Sequence, residues 1–235
     1  MSSTIKSLRR GAVLALALTL LQAAGAGLAA WLVLGALTDL AVKSAVGSVP
    51  FAVAIRRLVG LPRSVFGTAL AHFGLGLTIL GIVMTVSLQA ERITSVKPGE
   101  TIEIAGYALA FQGVTQQRGA NYDEEQAHFA LTAPGGKALG EVISAKRFYP
   151  VRQMPTTEAG IRTLGFSQLY VSLGDKGGGG SVVVRVWWKP LVTLIWLGAL
   201  VMMAGGAVSL LDRRLRIGAP ARRKTAVAKA GVPAE

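Results

Sequence analysis

The chain reads as an α-helical integral membrane protein with an inserted all-β domain, a small barrel or sandwich. Three observations predict that class. Residues 11–38, 64–90 and 190–211 contain no Asp, Glu, Lys or Arg. Each run reaches the ~20 residues that a helix rising ~1.5 Å per residue needs to cross a ~30 Å hydrocarbon core. Residues 91–189 change character to short alternating segments broken by glycine and proline. The chain of 235 residues is 51% hydrophobic with a mean hydropathy of +0.50, too apolar for a typical soluble domain.

Residues 1–63 predict an N-terminal apolar helix or helical hairpin followed by a basic cytoplasmic link. Lys6, Arg9 and Arg10 before the apolar run, with Ala24-Gly25-Ala26 inside it, imitate a signal peptide and its cleavage site. The run continues through Trp31-Leu32-Val33-Leu34-Gly35, too long for a signal h-region, so a retained membrane helix is expected. As one helix it leaves Lys6, Arg9 and Arg10 outside the cell. Broken near Gly25-Ala26-Gly27 it brings them back inside, although ~28 residues, or ~42 Å of helix, is short for two spans. Both forms stand at this level.

The link carries Lys43, Arg56, Arg57 and Arg63 against Asp39. Residues 64–90 form a span that contains His72, residues 190–211 a further span, and residues 212–235 a basic tail. Basic segments flanking spans are cytoplasmic as a rule, which puts residues 91–189 in the periplasm of a bacterial inner membrane. Almost all of the net charge of +13 lies in these flanks, so it points to membrane topology and excludes a nucleic-acid surface. There is no cysteine, which excludes disulfides and thiolate chemistry within the chain.

Within residues 91–189, alternation and β-branched or aromatic enrichment predict strands at 101–104, 107–111, 128–132 and 182–187. Turns are expected at 97–100, 134–137 and 175–181. Six to eight short strands over ~95 residues fit a small barrel or sandwich. Residues 156–162 are open to a second reading beside strand, as one helical turn with Thr156 or Thr157 as N-cap, and Glu158 reads as a capping residue rather than an acid catalyst.

His72 is the informative residue, because an ionisable side chain within a span usually faces a partner, a cavity or a cofactor. At helical spacing its neighbours are Thr68, Ala69 and Gly76. Such small residues would let a flat macrocycle approach while the imidazole reaches an axial metal position, as proximal histidines do for haem. They equally suit helix–helix packing with His72 hydrogen-bonded to a neighbour. The other histidine, His128, falls in an expected strand and reads as structural. No Ser/His/Asp set, paired carboxylates, P-loop or metal-ligand spacing is present.

From about Gly60 onward the chain resembles the C-terminal part of the CcmF/NrfE family of cytochrome c haem lyase proteins. Several stretches carry the likeness. In the second span it is Gly67-Thr-Ala-Leu-Ala-His72-Phe-Gly-Leu-Gly. In the β region the stretches are Val96-Lys-Pro-Gly-Glu100, Gly106-Tyr-Ala-Leu-Ala-Phe111, Ala145-Lys-Arg-Phe-Tyr149, Met154-Pro-Thr-Thr-Glu158 and Leu169-Tyr-Val-Ser-Leu-Gly174. Val184-Arg-Val-Trp-Trp-Lys-Pro190, Ile195-Trp-Leu-Gly-Ala-Leu200, Gly205-Gly206 and Asp212-Arg-Arg214 complete it.

The resemblance implies that His72, in Ala71-His72-Phe73-Gly74, is one axial ligand of a membrane haem b. It further implies Thr68, Ala69 and Gly76 as haem-facing small residues. The implied reaction joins haem vinyl groups to the thiols of a Cys-x-x-Cys-His motif in apocytochrome c, with haem arriving on a periplasmic haem chaperone. Lys146, Arg147, Tyr149 and Arg152 are candidates to meet haem propionates or a partner's acidic face, or else form a solvated strand edge.

The family's tryptophan-rich WWD motif, its two periplasmic histidines and its second membrane histidine are not in this sequence. The chain is therefore expected to be a truncated or split-gene piece, or to work beside the remainder of a haem lyase complex. The alternative is a haem-free, membrane-anchored periplasmic adaptor; a transporter fragment lacks the interrupted helices such sites use.

Overall fold

The computed structural model describes residues 2–212, with side chains from residue 13. Lys6, Arg9 and Arg10 as side chains, and the tail beyond Asp212, lie outside the described residues. Four helices and nine strands follow in the order α1 (Ser2–Ser44), α2 (Phe51–Val59), α3 (Arg63–Leu88), β1 (Ala90–Val96), β2 (Thr101–Ile104), β3 (Tyr107–Arg118), β4 (Asp123–Thr132), β5 (Ala138–Tyr149), β6 (Met154–Glu158), β7 (Gly160–Leu164), β8 (Ser167–Lys176), β9 (Val182–Lys189) and α4 (Thr193–Leu210). Three helical segments are long and apolar enough to cross a membrane: Val13–Ser44, Arg63–Leu88 and Thr193–Leu210.

Helix α1 runs unbroken through Gly25 and Gly27, so the hairpin alternative is not adopted. An interior glycine costs a helix only about 1 kcal/mol, whereas opening backbone hydrogen bonds within lipid costs several per unsatisfied group. Gly25 packs on Val83, and Gly76 packs on Ala29, Leu32 and Val33. That order makes α1 antiparallel to α3. The start of α1 therefore lies at the same end of the bundle as the β region.

Helices α3 and α4 meet through a glycine register. Gly67, Gly74 and Gly81 recur at heptad spacing on α3, and Gly198 and Gly205 do so on α4. A Cβ on Gly74 would collide with the Met202 backbone nitrogen and the Gly198 carbonyl, and one on Gly205 with Ala71 and Gly67. Association in lipid depends on such close backbone approach, because no hydrophobic effect separates helix from lipid tail. A seven-residue period keeps one face aligned along both helices. The Asp212 carboxylate, at the end of α4, accepts the Ser64 amide in the first turn of α3 (2.9 Å), a favourable place for negative charge.

The β region is an antiparallel sandwich of a four-stranded sheet, β1-β9-β8-β7, and a five-stranded sheet, β2-β3-β4-β5-β6. Alternate residues point inward, as period 2 requires: Leu169, Val171 and Leu173 from β8 and Val182, Val184 and Val186 from β9 meet Leu109, Phe111, Phe129 and Leu131 of the facing sheet. Phe111 and Phe129 stack at 5.2 Å between centroids. Buried Ser144 ties the sheets together, donating to the Glu158 carbonyl and accepting from the Leu173 amide, both at 3.0 Å.

Residues 156–162 do not form a helical turn. Thr156 and Thr157 pair with Arg147 and Lys146 in the β5–β6 ladder, and the chain turns a corner at residue 159 into β7, where Gly160 passes directly over Ile143. β-branched threonines fit a pleated surface better than a helix. Glu158 is accordingly a strand residue rather than a helix cap. Strands β1 and β9 pair from Ala90↔Trp188 to Val96↔Val182 and lead directly from α3 and into α4. Thr85 Oγ1 donates to the Pro190 carbonyl (2.8 Å) and Thr193 Oγ1 to the Phe166 carbonyl (2.9 Å), clamping sandwich to spans.

Candidate functional site

On α3 the heptad glycines face α4, while Ala69 and Gly76 face α1. His72 falls beside that second face, on the exposed side of the helix. At 1.5 Å per residue it stands about 13 Å in from the start of α3, within the depth of a hydrocarbon core. It lines a groove of about 320 Å³ between α1 and α3, together with Trp31, Gly35, Asp39, Thr68 and Ala69. Asp39 pairs with Lys43 one turn on, at 2.6 Å.

The His72 ring is oriented by its own helix. Nδ1 lies 2.8 Å from the Thr68 carbonyl oxygen. A carbonyl only accepts, so Nδ1 carries the proton and donates it. In the tautomer that this bond selects, the lone pair is on Nε2. Metal-ligating histidines are held in this way, with one nitrogen donating to a backbone carbonyl and the other left to the metal. A ring held in this way beside a groove is of a kind that would hold a haem iron. Gly76 does not line the groove: α1 occupies its face, and an added Cβ would meet Val33 and the Ala29 carbonyl. Its small size serves helix packing. Ala69 borders the groove but is itself buried, and Thr68 is the exposed one of the three expected neighbours.

Two of the four candidate contact residues, Lys146 and Arg147, are already partnered. Arg147 Nε donates to Glu124 (2.7 Å), its Nη1 lies 3.3 Å from Glu158, and its guanidinium sits 4.5 Å from the centroid of the Tyr122 ring. Tyr122 in turn meets Tyr149 edge-on at 5.7 Å. Lys146 pairs with Asp175 at 2.8 Å. The hydrogen bond from Arg147 holds the Glu124 carboxyl below its usual range, assisted by the Gln126 amide and opposed by burial. Lys146 does the same to Asp175. Strand β5 lies inside its sheet, between β4 and β6, so these residues are not a strand edge. A surface groove of about 610 Å³ runs past Arg118, Glu124, Lys146, Arg147, Phe148 and Pro155. Arg152 stands apart, exposed in the turn after β5.

His128 uses both ring nitrogens within the sandwich, on Glu141 (2.7 Å) and Thr115 (2.8 Å), which leaves none for a metal. Among the described residues no group of three His, Asp or Glu side chains is placed to hold a metal ion. Asp39 beside His72 and the glycine register were not singled out from sequence. The seven-residue glycine spacing is the signal that would have found the register; Asp39 reads there as an ordinary helix-end charge.

Comparison with known proteins agrees with this architecture. Residues 87–190 match the family model described as the CcmF C-terminal beta-sandwich. The cytochrome c-type biogenesis protein CycK of Rhizobium meliloti is 57% identical over 87% of this chain and 30% of its own length. The cytochrome c-type biogenesis protein CcmF of Pseudomonas aeruginosa is 36% identical over 87% of this chain and 30% of its own length. A solved structure named cytochrome c heme lyase CcmF shares the fold at a TM-score of 0.53, with 21% identity over 76% of this chain and 34% of that one. The chain thus spans about a third of the length of the relatives it matches. With sandwich, flanking spans and sequence all in agreement, it belongs to the CcmF family, as a C-terminal part of it.

Proposed function

We propose that the chain acts in cytochrome c maturation as the C-terminal module of a haem lyase subunit, with His72 supplying one axial ligand to a membrane haem b. The observation that carries this is the Nδ1–H bond to the Thr68 carbonyl, which leaves Nε2 as the ring's lone-pair donor beside an open groove. Bound there, haem would supply a redox-active iron. Thr68 fixes the ring's tautomer and direction, and Trp31 and Ala69 give the groove apolar walls. The opposing ligand is assigned to the remainder of the haem lyase complex, because His128 is engaged inside the sandwich. The sandwich is the periplasmic docking domain, for a haem chaperone and apocytochrome c, and Arg152 is an exposed basic contact on it.

The test is absorption spectroscopy of the chain co-purified with the N-terminal two-thirds of a family relative. A six-coordinate b-type spectrum is expected. His72→Ala should abolish or shift it, and His72→Gly with added imidazole should partly restore it. An unaltered spectrum in His72→Ala refutes the ligand role. A complex that assembles without haem in the wild type favours the haem-free adaptor.

A further inference from the structure

Helix α2 sits in the connection between two spans. Because α1 and α3 are antiparallel, α1 ends and α3 begins at the same membrane face, the one opposite the sandwich. Only residues 45–50 and 60–62 tether α2 to those ends, so it cannot leave that surface. Its small inner residue, Ala54, is 2% exposed and packs inward. Its outer stripe is large and apolar: Phe51, Ile55 and Val59, at i, i+4 and i+8, are 77%, 43% and 81% exposed. At 100° per residue these three share one side of the helix, and nothing among the described residues covers them. By the same spacing Arg56 borders the stripe and Arg57 lies on the opposite side of the helix; both are exposed, and no ion pair among the described residues involves either. The connection as a whole is basic: Asp39 is the one carboxylate against Lys43, Arg56, Arg57 and Arg63, and Lys43 neutralises it.

We propose that α2 is an interfacial anchor. It lies in the plane of the membrane surface, with Phe51, Ile55 and Val59 in the boundary between headgroups and acyl chains and with Arg56 and Arg57 on anionic lipid headgroups. An apolar stripe with arginines on the remaining, polar side of a helix held at the bilayer surface is the arrangement that buries ~5–10 Å deep in that boundary. Juxtamembrane basic residues gain from a negatively charged leaflet. The positive charge selects an anionic lipid surface over a protein groove, which would have to bury both arginines against carboxylates of its own. This inference is independent of the haem reading.

The chain's lack of cysteine makes the test direct. Nitroxide labels are placed on Phe51→Cys, Ile55→Cys, Val59→Cys and Arg57→Cys, and on Ala52→Cys as the mildest replacement on the same side. Each variant of the full chain is reconstituted in nanodiscs of phosphatidylcholine with or without phosphatidylglycerol. Collision rates with oxygen and with a water-soluble nickel chelate then report depth. The logarithm of the oxygen-to-nickel ratio should be positive at 51, 52, 55 and 59 and negative at 57. Phosphatidylglycerol should deepen the stripe labels, and Arg56→Gln with Arg57→Gln should remove that deepening. Stripe labels open to the nickel chelate would overturn the proposal in favour of a solvated helix. Labels shielded from both reagents would overturn it in favour of a protein cover, and depth insensitive to lipid charge would overturn the headgroup contact.

Discussion

One proton on one ring nitrogen sets the chemistry open to His72, and the backbone of its own helix places that proton. The same economy operates in the sandwich, where Arg147 satisfies Glu124, Glu158 and the Tyr122 face at once. Glu124 has its pKa depressed on folding. Its contribution to stability is therefore present above the ordinary carboxylate range and lost as the pH falls through the folded value. Thermal melts of the detergent-solubilised chain at pH 7 and pH 3 should show a smaller fall for Glu124→Gln than for wild type. Parallel falls would locate the acid sensitivity elsewhere. Lys146 and Arg147 carry charge that the sequence presents as available, and only the pairing of β4 with β5, which brings Glu124 to Arg147, and the approach of β8, which brings Asp175 to Lys146, show that carboxylates of the same domain hold it.

Between α3 and α4 the contact is backbone against backbone. Gly74→Ala should weaken it by about 1–3 kcal/mol, the usual cost of overpacking a tight site, since the obstructing atoms belong to the backbone around Gly198 and Met202. Gly206→Ala, one residue past the contact with nothing within 4 Å, should be neutral or gain up to about 1 kcal/mol from helix propensity. Denaturation in mixed detergent micelles, followed by tryptophan fluorescence, compares the two. Equal effects would show that the register carries no close contact. The helix periods were legible here and the contacts were not: a heptad of glycines announces a packed face, but not which neighbour packs on it.

For the whole molecule, a single α1 antiparallel to α3 leaves the α1–α3 connection as the basic segment opposite the sandwich. The positive-inside rule then predicts cytoplasm for that connection and periplasm for the sandwich. Phosphatase and fluorescent reporters inserted after Ser48 should report cytoplasm, and those after Gly136, in the turn between β4 and β5, should report periplasm. Exchange of the two signals would invert the orientation. One helix also puts the first residues of α1 at the sandwich end, as the one-helix reading of residues 11–38 implied, so in the predicted orientation the connection's arginines supply the inside charge.

What the sequence alone determined is what depends on neighbours in the chain. Uncharged length marks the spans, because lipid accepts only apolar surface with every backbone group bonded internally. Period 2 marks the strands at 101–104, 107–111, 128–132 and 182–187, all of which lie within β2, β3, β4 and β9. The tertiary structure alone decided what depends on distant pairing. Residues 156–162 became two strands because Thr156 and Thr157 found partners on β5. Gly76 was claimed by α1 rather than by the groove, and β5 proved an inner strand. His72 came to face a groove with Asp39 because α1 crosses α3 at that turn. Each of those outcomes is set by contacts between residues far apart in sequence, and local periodicity carries no record of them.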